Sequence, residues 1–422
     1  MLSKPLKVAF IHPDLGIGGA ERLVVDAAVG LQSKGHDIVI YTSHHDRSHC
    51  FQETKDGTLD VRVRGNTIIP STFFGYFYIV SAILRQLHLS LSLIFTDKDQ
   101  YDVIFVDQLS ACIPLLKLTG AKVLFYCHFP DKLLSIRESL LKSIYRYPID
   151  KLEELTTGMA DSIVVNSRFT SLVFQESFPT IKNIPQILYP GIHFDSYDKE
   201  INLQDKNIKI LETSKELILS INRFERKKNI SLAINAFANL KDSLPSKNLF
   251  LNLQLVIAGG YDLRVKENVE YHLELNEVAN QLDLETFTIM PGSTSHPPDN
   301  AQIIFLCSFN EAQRTYLLSK ALCLLYTPSN EHFGIVPIEA MYSCLPVIAV
   351  NNGGPKETIR NQETGFLCEA TPEAFSEALS SIILNKYNRY DLEKSAFRPC
   401  NDGSNFCFLC TDASKGSVDL QK

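Results

Sequence analysis

Short apolar runs rich in β-branched residues alternate with helical stretches along nearly the whole chain, and this alternation restricts the fold more than any other feature. In the first half the runs are "KVAFIHP", "DIVIYTS", "VRV", "DVIFVDQ", "KVLFYCH" and "DSIVVNS". In the second half they are "ELILSIN", "LQLVIAGG", "TFTIM", "ALCLLYT" and "PVIAVNNGG". Strands separated by helices pair in parallel, which predicts an α/β chain of two doubly wound, Rossmann-like domains. Each would place a ligand crevice at the carboxyl ends of its strands, and two such crevices facing each other would form a central cleft. The 422 residues suffice for two cores. A polar stretch separates the two sets of runs, giving expected limits of 1–195 for the first domain, 196–214 for a linker and 215–390 for the second. Beyond Asp391 there is no helical period and little apolar density, so 391–422 is expected to be irregular.

The net charge of -7 argues against a general nucleic-acid binder, which carries a basic surplus. Ten cysteines scattered through apolar runs suit reduced, buried thiols of a cytosolic compartment. The start, "MLSKPLKVAFIHPD", lacks the long apolar core of a secretory signal, so the domains are expected on the cytosolic side. The segment Phe73 to Phe95 is long enough to span a bilayer at roughly 20 residues, but Arg85, Gln86 and His88 interrupt it. Three readings stay open: a buried amphipathic helix, a helix lying on a membrane, or a span. His44, His45, His49 and Cys50 read as a polar loop in preference to a metal cluster. The tail's Cys400, Cys407 and Cys410 lack the fourth ligand that zinc needs, so no metal is expected.

Two loops carry phosphate-binding character. In "HPDLGIGGAERLVV" the first strand ends near His12, Gly16, Gly18 and Gly19 make a turn, and a helix starts near Ala20. Glycines admit close backbone approach, and a helix N-terminus offers free amides to an anion. A dinucleotide fingerprint is disfavoured because Glu21 and Arg22 stand where a glycine is wanted; a purely structural turn remains open. In "SINRFERKKNISL", Arg223 and Lys228 flank a strand-to-helix junction and suit a diphosphate clamp, against the alternative of a solvated charge run.

The stretch "TPSNEHFGIVPIEAM" places Glu331 in a loop and Glu339 in the helix that follows, with Phe333, Gly334 and Ile335 between them. Gly334 and Pro337 suit a turn and a helix start. Two carboxylates so placed suit the two ends of one long ligand: Glu331 the hydroxyls of a sugar, Glu339 the paired hydroxyls of a ribose.

Together, "GIGGAE", R-x4-K, E-x7-E and "NNGGPKETI…TGFLCE" resemble the family-4 retaining glycosyltransferases of GT-B fold, from about residue 7 to 385. "YCHFPD", "SINRFERKKN" and "YTPSNEHFGIVPIEAM" are most similar to the branch that adds the second and third mannoses to the dolichol-linked N-glycan precursor. That resemblance implies GDP-mannose as donor substrate, no cofactor or metal, and both α-1,3 and α-1,6 linkages. It implies a dolichyl-diphosphate oligosaccharide as acceptor, work on the cytosolic face of the endoplasmic reticulum membrane, and contact with other mannosyltransferases. Residue by residue, Glu331 would bind the transferred mannose, Glu339 the ribose, and Arg223 and Lys228 the diphosphate, which Gly18 and Gly19 approach. His128 would act near the reacting sugar.

Lys132, Arg137, Lys142 and Arg146 lie among leucines in "DKLLSIRESLLKSIYRYPID" and suit either anionic headgroups with the acceptor diphosphate or an ordinary surface helix. The family ordinarily ends in a long helix, a pattern that nothing after Tyr390 has. This leaves a second reading, a catalytically impaired variant that binds nucleotide or partners without transferring sugar.

Overall fold

The computed structural model describes residues 4–72, 77–97, 99–135, 139–191 and 200–384. They fall into two compact units, 4–191 and 200–384. The first unit is built on a parallel sheet of β1 (Lys7–His12), β2 (Asp37–Thr42), β3 (Asp60–Val63), β4 (Val103–Asp107), β5 (Lys122–Cys127), β6 (Ser162–Val165) and β7 (Gln186–Ile187). Its order is β3-β2-β1-β4-β5-β6-β7. The second unit contains β8 (Glu216–Ile221), β9 (Leu253–Gly259), β10 (Thr286–Ile289), β11 (Ile303–Cys307), β12 (Ala321–Tyr326), β13 (Val347–Val350) and β14 (Gly365–Cys368). Its order is β10-β11-β9-β8-β12-β13-β14, again all parallel.

Alternation along β1 explains why the first sheet needs helices on both faces. Val8 and Phe10 pack with Leu23, Val24 and Ala28 of the helix Gly19–Ser33, whereas Ala9 and Ile11 pack with Leu89 and Phe174 on the other side. In the second unit, Phe237 of the helix Ile230–Ser243 and Phe375 of the helix Pro372–Ile383 close a single large core. Strand order reverses direction between β1 and β4 in one sheet and between β8 and β12 in the other. Those two switch points are where loops diverge to opposite faces and leave a crevice.

Three strands, β7, β11 and β14, lie outside the runs read as strands. The run "IIFLC" of β11 is uniformly apolar, and five such residues fit a buried helix as well as a strand. Strands β7 and β14 span only two and four residues, too short to show a period. Within the stretch expected as a linker, residues 200–214 pack into the second unit: Ile208, Ile210 and Leu211 are buried, and Gln313 Nε2 donates to the Asn207 carbonyl at 3.1 Å.

Of the segment expected at 73–95, residues 73–76 lie outside the described residues. A helix runs over Tyr78–Ser92 and continues as a π turn over Leu93–Asp97. By length and composition it could cross a membrane. Its polar Gln86 and Ser90 face inward, Gln86 Nε2 donating to the Leu109 carbonyl at 2.9 Å, while Tyr78, Leu91 and Phe95 are exposed. The expected irregular region 391–422 lies outside the described residues.

Candidate functional site

Each switch point gathers polar side chains at the carboxyl ends of its strands. In the second unit β8 ends at Ile221, and a short 3-10 turn, Arg226–Lys228, leads into the helix Ile230–Ser243. The Lys228 carbonyl accepts from Thr327 Oγ1 at 2.7 Å, tying this turn to the end of β12. The Lys228 ammonium then lies 2.6 Å from Glu331 Oε2, with both side chains mostly buried. Tyr326, the last residue of β12, also hydrogen-bonds Glu331. Burial alone would raise the Glu331 carboxyl, but Lys228 outweighs it and the net shift is downward. Glu331 is therefore a carboxylate at neutral pH. Arg223 is solvent-exposed and 3.1 Å from Glu225.

The helix expected after Gly334 begins at Ile335, two residues earlier than the proline suggested, and ends at Tyr342. Gly334 has φ +88°, a left-handed conformation that suits glycine at this N-cap. Pro337 is the helix's third residue, where its missing N–H costs nothing because the first-turn amides have no intrahelical partner. Glu339 is thus two residues further in than expected and buried, with Oε1 accepting from Arg314 Nη1 at 3.2 Å. Phe333, in the loop before the helix, is buried and Ile335 half-buried. The eight-residue spacing holds one carboxylate against a cation from the β8 loop and the other against a cation from the helix Glu311–Lys320.

Two glycines explain why this loop is held so closely. A Cβ on Gly353 would fall 2.5 Å from the Glu331 carbonyl oxygen, and one on Gly354 would fall 2.3 Å from Phe333 Cα. The Gly354 amide donates to the Glu331 carbonyl at 2.7 Å. The "NNGGP" stretch is a backbone-to-backbone brace for the glutamate loop, a role its sequence does not announce. A cavity of about 410 Å³ lined by Lys215, Gln254, Asp299 and Leu317 lies at the amino-terminal ends of β8, β9 and β11, at the opposite edge of the sheet from these residues.

In the first unit, three adjacent strands deliver one cluster. His12 ends β1, Asp107 ends β4 and His128 follows β5. The Asp107 carboxylate, fully buried, accepts from His12 Nδ1 at 2.8 Å and from His128 Nε2 at 3.1 Å. Burial alone would lower the His12 imidazole, yet Asp107 and Glu21 outweigh it and push it up to about 10, so His12 is an imidazolium at neutral pH. Gly18 is extended and caps the helix Gly19–Ser33; a Cβ there would meet only the Glu21 carboxylate, and one on Gly19 would meet nothing. Gly19 thus borders open space, Gly18 leaves room for the Glu21 carboxylate, and neither relieves backbone strain.

The basic residues after His128 do not share one surface. Arg146 is buried, hydrogen-bonded to Asp131 at 2.7 Å and ion-paired with Asp150 at 3.1 Å. Lys132 turns inward to the Ser177 carbonyl and over the Phe178 ring. Lys142 is exposed, and Arg137 lies outside the described residues. A carboxylate-rich interior, Asp131, Asp150 and Glu153, draws Arg146 in where leucine spacing had suggested an outward face. The paired histidines expected as a polar loop have separate partners: His44 meets Asp14 and His45 meets Thr54.

Sequence reasoning missed His12, Asp107 and Arg314. The first two had a signal, a polar residue ending an apolar strand run, which is where side chains emerge from the sheet into a crevice. Arg314 had none, because only the fold brings its helix beside Glu339.

Comparison with known proteins agrees with this geometry. The chain matches the family "Glycosyltransferase Family 4" over residues 17–196 and "Glycosyl transferases group 1" over 202–398. It is 60% identical over 392 residues to "Alpha-1,3/1,6-mannosyltransferase ALG2" of Rhizomucor pusillus, covering 92% of this chain and 86% of that protein. It is 47% identical over 380 residues to the human protein of the same name, covering 89% and 87%. In fold it is similar to sucrose-phosphate synthase from Thermosynechococcus elongatus (TM-score 0.67, 16% identity, 93% and 92% covered). It is likewise similar to WaaG, a glycosyltransferase involved in lipopolysaccharide biosynthesis (TM-score 0.63, 18% identity, 92% and 94% covered). With two parallel Rossmann-like sheets, these neighbours and identities of this size over most of both chains, the protein has the GT-B fold and belongs to the ALG2 family of alpha-1,3/1,6-mannosyltransferases.

Proposed function

We propose that the chain transfers mannose from GDP-mannose to a dolichyl-diphosphate-linked GlcNAc2Man acceptor, forming α-1,3 and α-1,6 linkages with retention, on the cytosolic face of the endoplasmic reticulum membrane. The observation that carries this reading is the two ion pairs Lys228–Glu331 and Arg314–Glu339 beside the switch point between β8 and β12 of a chain in this family, with Arg223 in the same loop as Lys228. Glu339 binds the ribose hydroxyls, Arg223 and Lys228 neutralise the diphosphate, and Glu331 binds the mannose. Phe333, Gly334 and Ile335 shape the donor loop, and the first unit contributes Gly18, Gly19 and His128.

Glu331 and Glu339 are each tied to a cation of their own, so neither stands as a free nucleophile. The reaction is a same-face substitution: the C1–O bond to the diphosphate breaks, the acceptor oxygen bonds C1 on that face, and the departing phosphate oxygen takes the acceptor's proton. Arg223 and Lys228 stabilise the charge that develops on the leaving group. The donor is a substrate, and the chemistry requires neither cofactor nor metal.

Membrane attachment rests on the first unit's outer surface. Leu133, Leu134, Leu140, Leu141, Ile144 and Tyr147 are exposed around Lys142. Such an apolar face with a rim cation suits an anionic bilayer better than water. Arg146 and Lys132, turned inward, shape this surface from below and do not meet headgroups. Other mannosyltransferases are proposed as neighbours on the same membrane, and nucleic acid is not a partner.

The test incubates membranes carrying the full chain with radiolabelled GDP-mannose and the monomannosylated lipid acceptor. Addition of two mannoses that disappears with Glu331→Ala supports the reading. Nucleotide binding without product in the wild-type chain overturns it in favour of the impaired, binding-only form.

A further inference from the structure

The buried charges behind His128 belong to no donor contact in the preceding reading. Asp107 has no exposed surface, and its two oxygens are shared between two imidazoles. A buried carboxylate is costly unless paired, and His12, 1% exposed, supplies the opposite charge at 2.8 Å. His12 Nε2 has no hydrogen-bond partner among the described residues, and its nearest carboxylate oxygen, on Glu21, stands 3.7 Å away. A side chain so placed is held for its charge and for its Nδ1 bond, at the cost of an unmade bond on the other nitrogen.

Asp107 has only acceptors to offer, so the nitrogen of His128 that faces it carries hydrogen. That leaves Nδ1 as the variable atom, and it has no partner among the described residues. The ring is fixed in other ways too. Tyr126 lies against it with centroids 4.8 Å apart, and Asn166 Nδ2 donates to the His128 carbonyl at 3.1 Å. Gln108, next to Asp107, adopts φ +61°, an uncommon conformation for glutamine that turns the chain sharply after the carboxylate.

We infer that Asp107 and His12 are positioning residues for the transfer reaction: Asp107 holds the His128 ring with its hydrogen on Nε2, His12 supplies the countercharge, and Nδ1 of His128 alone is presented to substrate. This deepens the proposed function and rests on its reading of His128 as the first unit's reacting-side group. The arrangement parallels the general logic in which a buried carboxylate fixes the tautomer of a working imidazole.

Two measurements on the full chain in membranes test it. The first is a double-mutant cycle with Asp107→Asn and His128→Ala, using GDP-mannose and the monomannosylated lipid acceptor. Asp107→Asn is expected to lower kcat roughly 10- to 100-fold with the KM for GDP-mannose within about twofold, and to cost less than about threefold when His128 is already alanine. Equal losses in both backgrounds make Asp107 merely structural and overturn the inference. A His128→Ala variant with wild-type kcat instead removes the reading of His128 on which the inference rests, a separately visible failure. The second measurement needs no variant: ¹⁵N-histidine NMR of the wild-type chain at neutral pH. A hydrogen on Nε2 of His128 is expected, and a ring carrying its hydrogen on Nδ1 alone refutes the assignment even if Asp107→Asn does not fold.

Discussion

Replacing Lys228 with methionine isolates the pair at the centre of the second unit. The ammonium sits 2.6 Å from Glu331, with side-chain exposures of 14% and 20%. Breaking a fully buried ion pair from one side costs roughly 3–5 kcal/mol, whereas surface pairs are worth about 0–1 kcal/mol. At this partial burial the expected cost is about 2–3 kcal/mol, nearly all of it the stranded Glu331 carboxylate. For a unit of roughly 190 residues that lowers its melting temperature by about 5–10 °C. The two units need not melt together, so the assay follows the second unit's transition by calorimetry on the full chain.

Two controls separate this cause from lost packing. Adding Glu331→Gln to Lys228→Met removes the stranded charge, and more than half of the lost stability is expected to return. Acidification does the same reversibly. The Glu331 carboxyl lies below its ordinary 4.5 in the folded wild-type chain, so its contribution is present above that value and is lost as pH falls through the folded one. The deficit of Lys228→Met against wild type therefore shrinks towards pH 4. If the variant melts within about 1 °C of wild type at pH 7.5, or the double variant is no more stable than the single, the pair does not hold this loop and the reasoning fails.

Gly354→Ala places a Cβ 2.3 Å from Phe333 Cα, against backbone that cannot yield locally, and a loss of roughly 2–3 kcal/mol in denaturant unfolding is expected. Gly19→Ala, where a Cβ meets nothing, is expected within about 0.5 kcal/mol of wild type in the same assay. Arg314→Met leaves Glu339 without its 3.2 Å partner; calorimetric titration is expected to show GDP affinity reduced about tenfold, a change of roughly 1.4 kcal/mol. His12 is raised from 6.5 to about 10 by Asp107, so the stability it contributes is complete below pH 6.5 and falls as pH rises towards 10. Unfolding free energies at pH 6.5 and 9.5 should differ in the wild-type chain and converge in Asp107→Ala.

The sheets were legible because their central strands are buried on both faces: "KVAFIH" and "ELILSI" admit no other reading once helices flank them. The glutamate spacing and R-x4-K were legible for a different reason, since both are local in sequence and fall at strand ends. Local spacing carries no information about what a side chain meets across the fold. The expected outward face of Lys132 and Arg146 failed on that account, because three carboxylates from two segments draw Arg146 inward. Arg314 and the Gly353–Gly354 brace stayed invisible for the same reason, being defined by contacts from residues 21 or more positions away.

The same contacts bear on how the donor site works. Every charged group proposed to grip the nucleotide sugar in the second unit already has an internal partner: Lys228 with Glu331, Glu339 with Arg314, and Arg223 with Glu225. A diphosphate reaching Lys228 must share the ammonium with Glu331, and the mannose hydroxyls must offer Glu331 hydrogen bonds in exchange. Diphosphate and sugar are thereby coupled through one ion pair, since each compensates the loss that the other imposes. Free phosphate ligands lacking the sugar replace only half of that exchange. GDP should therefore bind more weakly than GDP-mannose in wild type, and Glu331→Gln should narrow the gap by releasing Lys228 to the diphosphate. An unchanged ratio of the two affinities in Glu331→Gln would show that the carboxylate and the ammonium act independently.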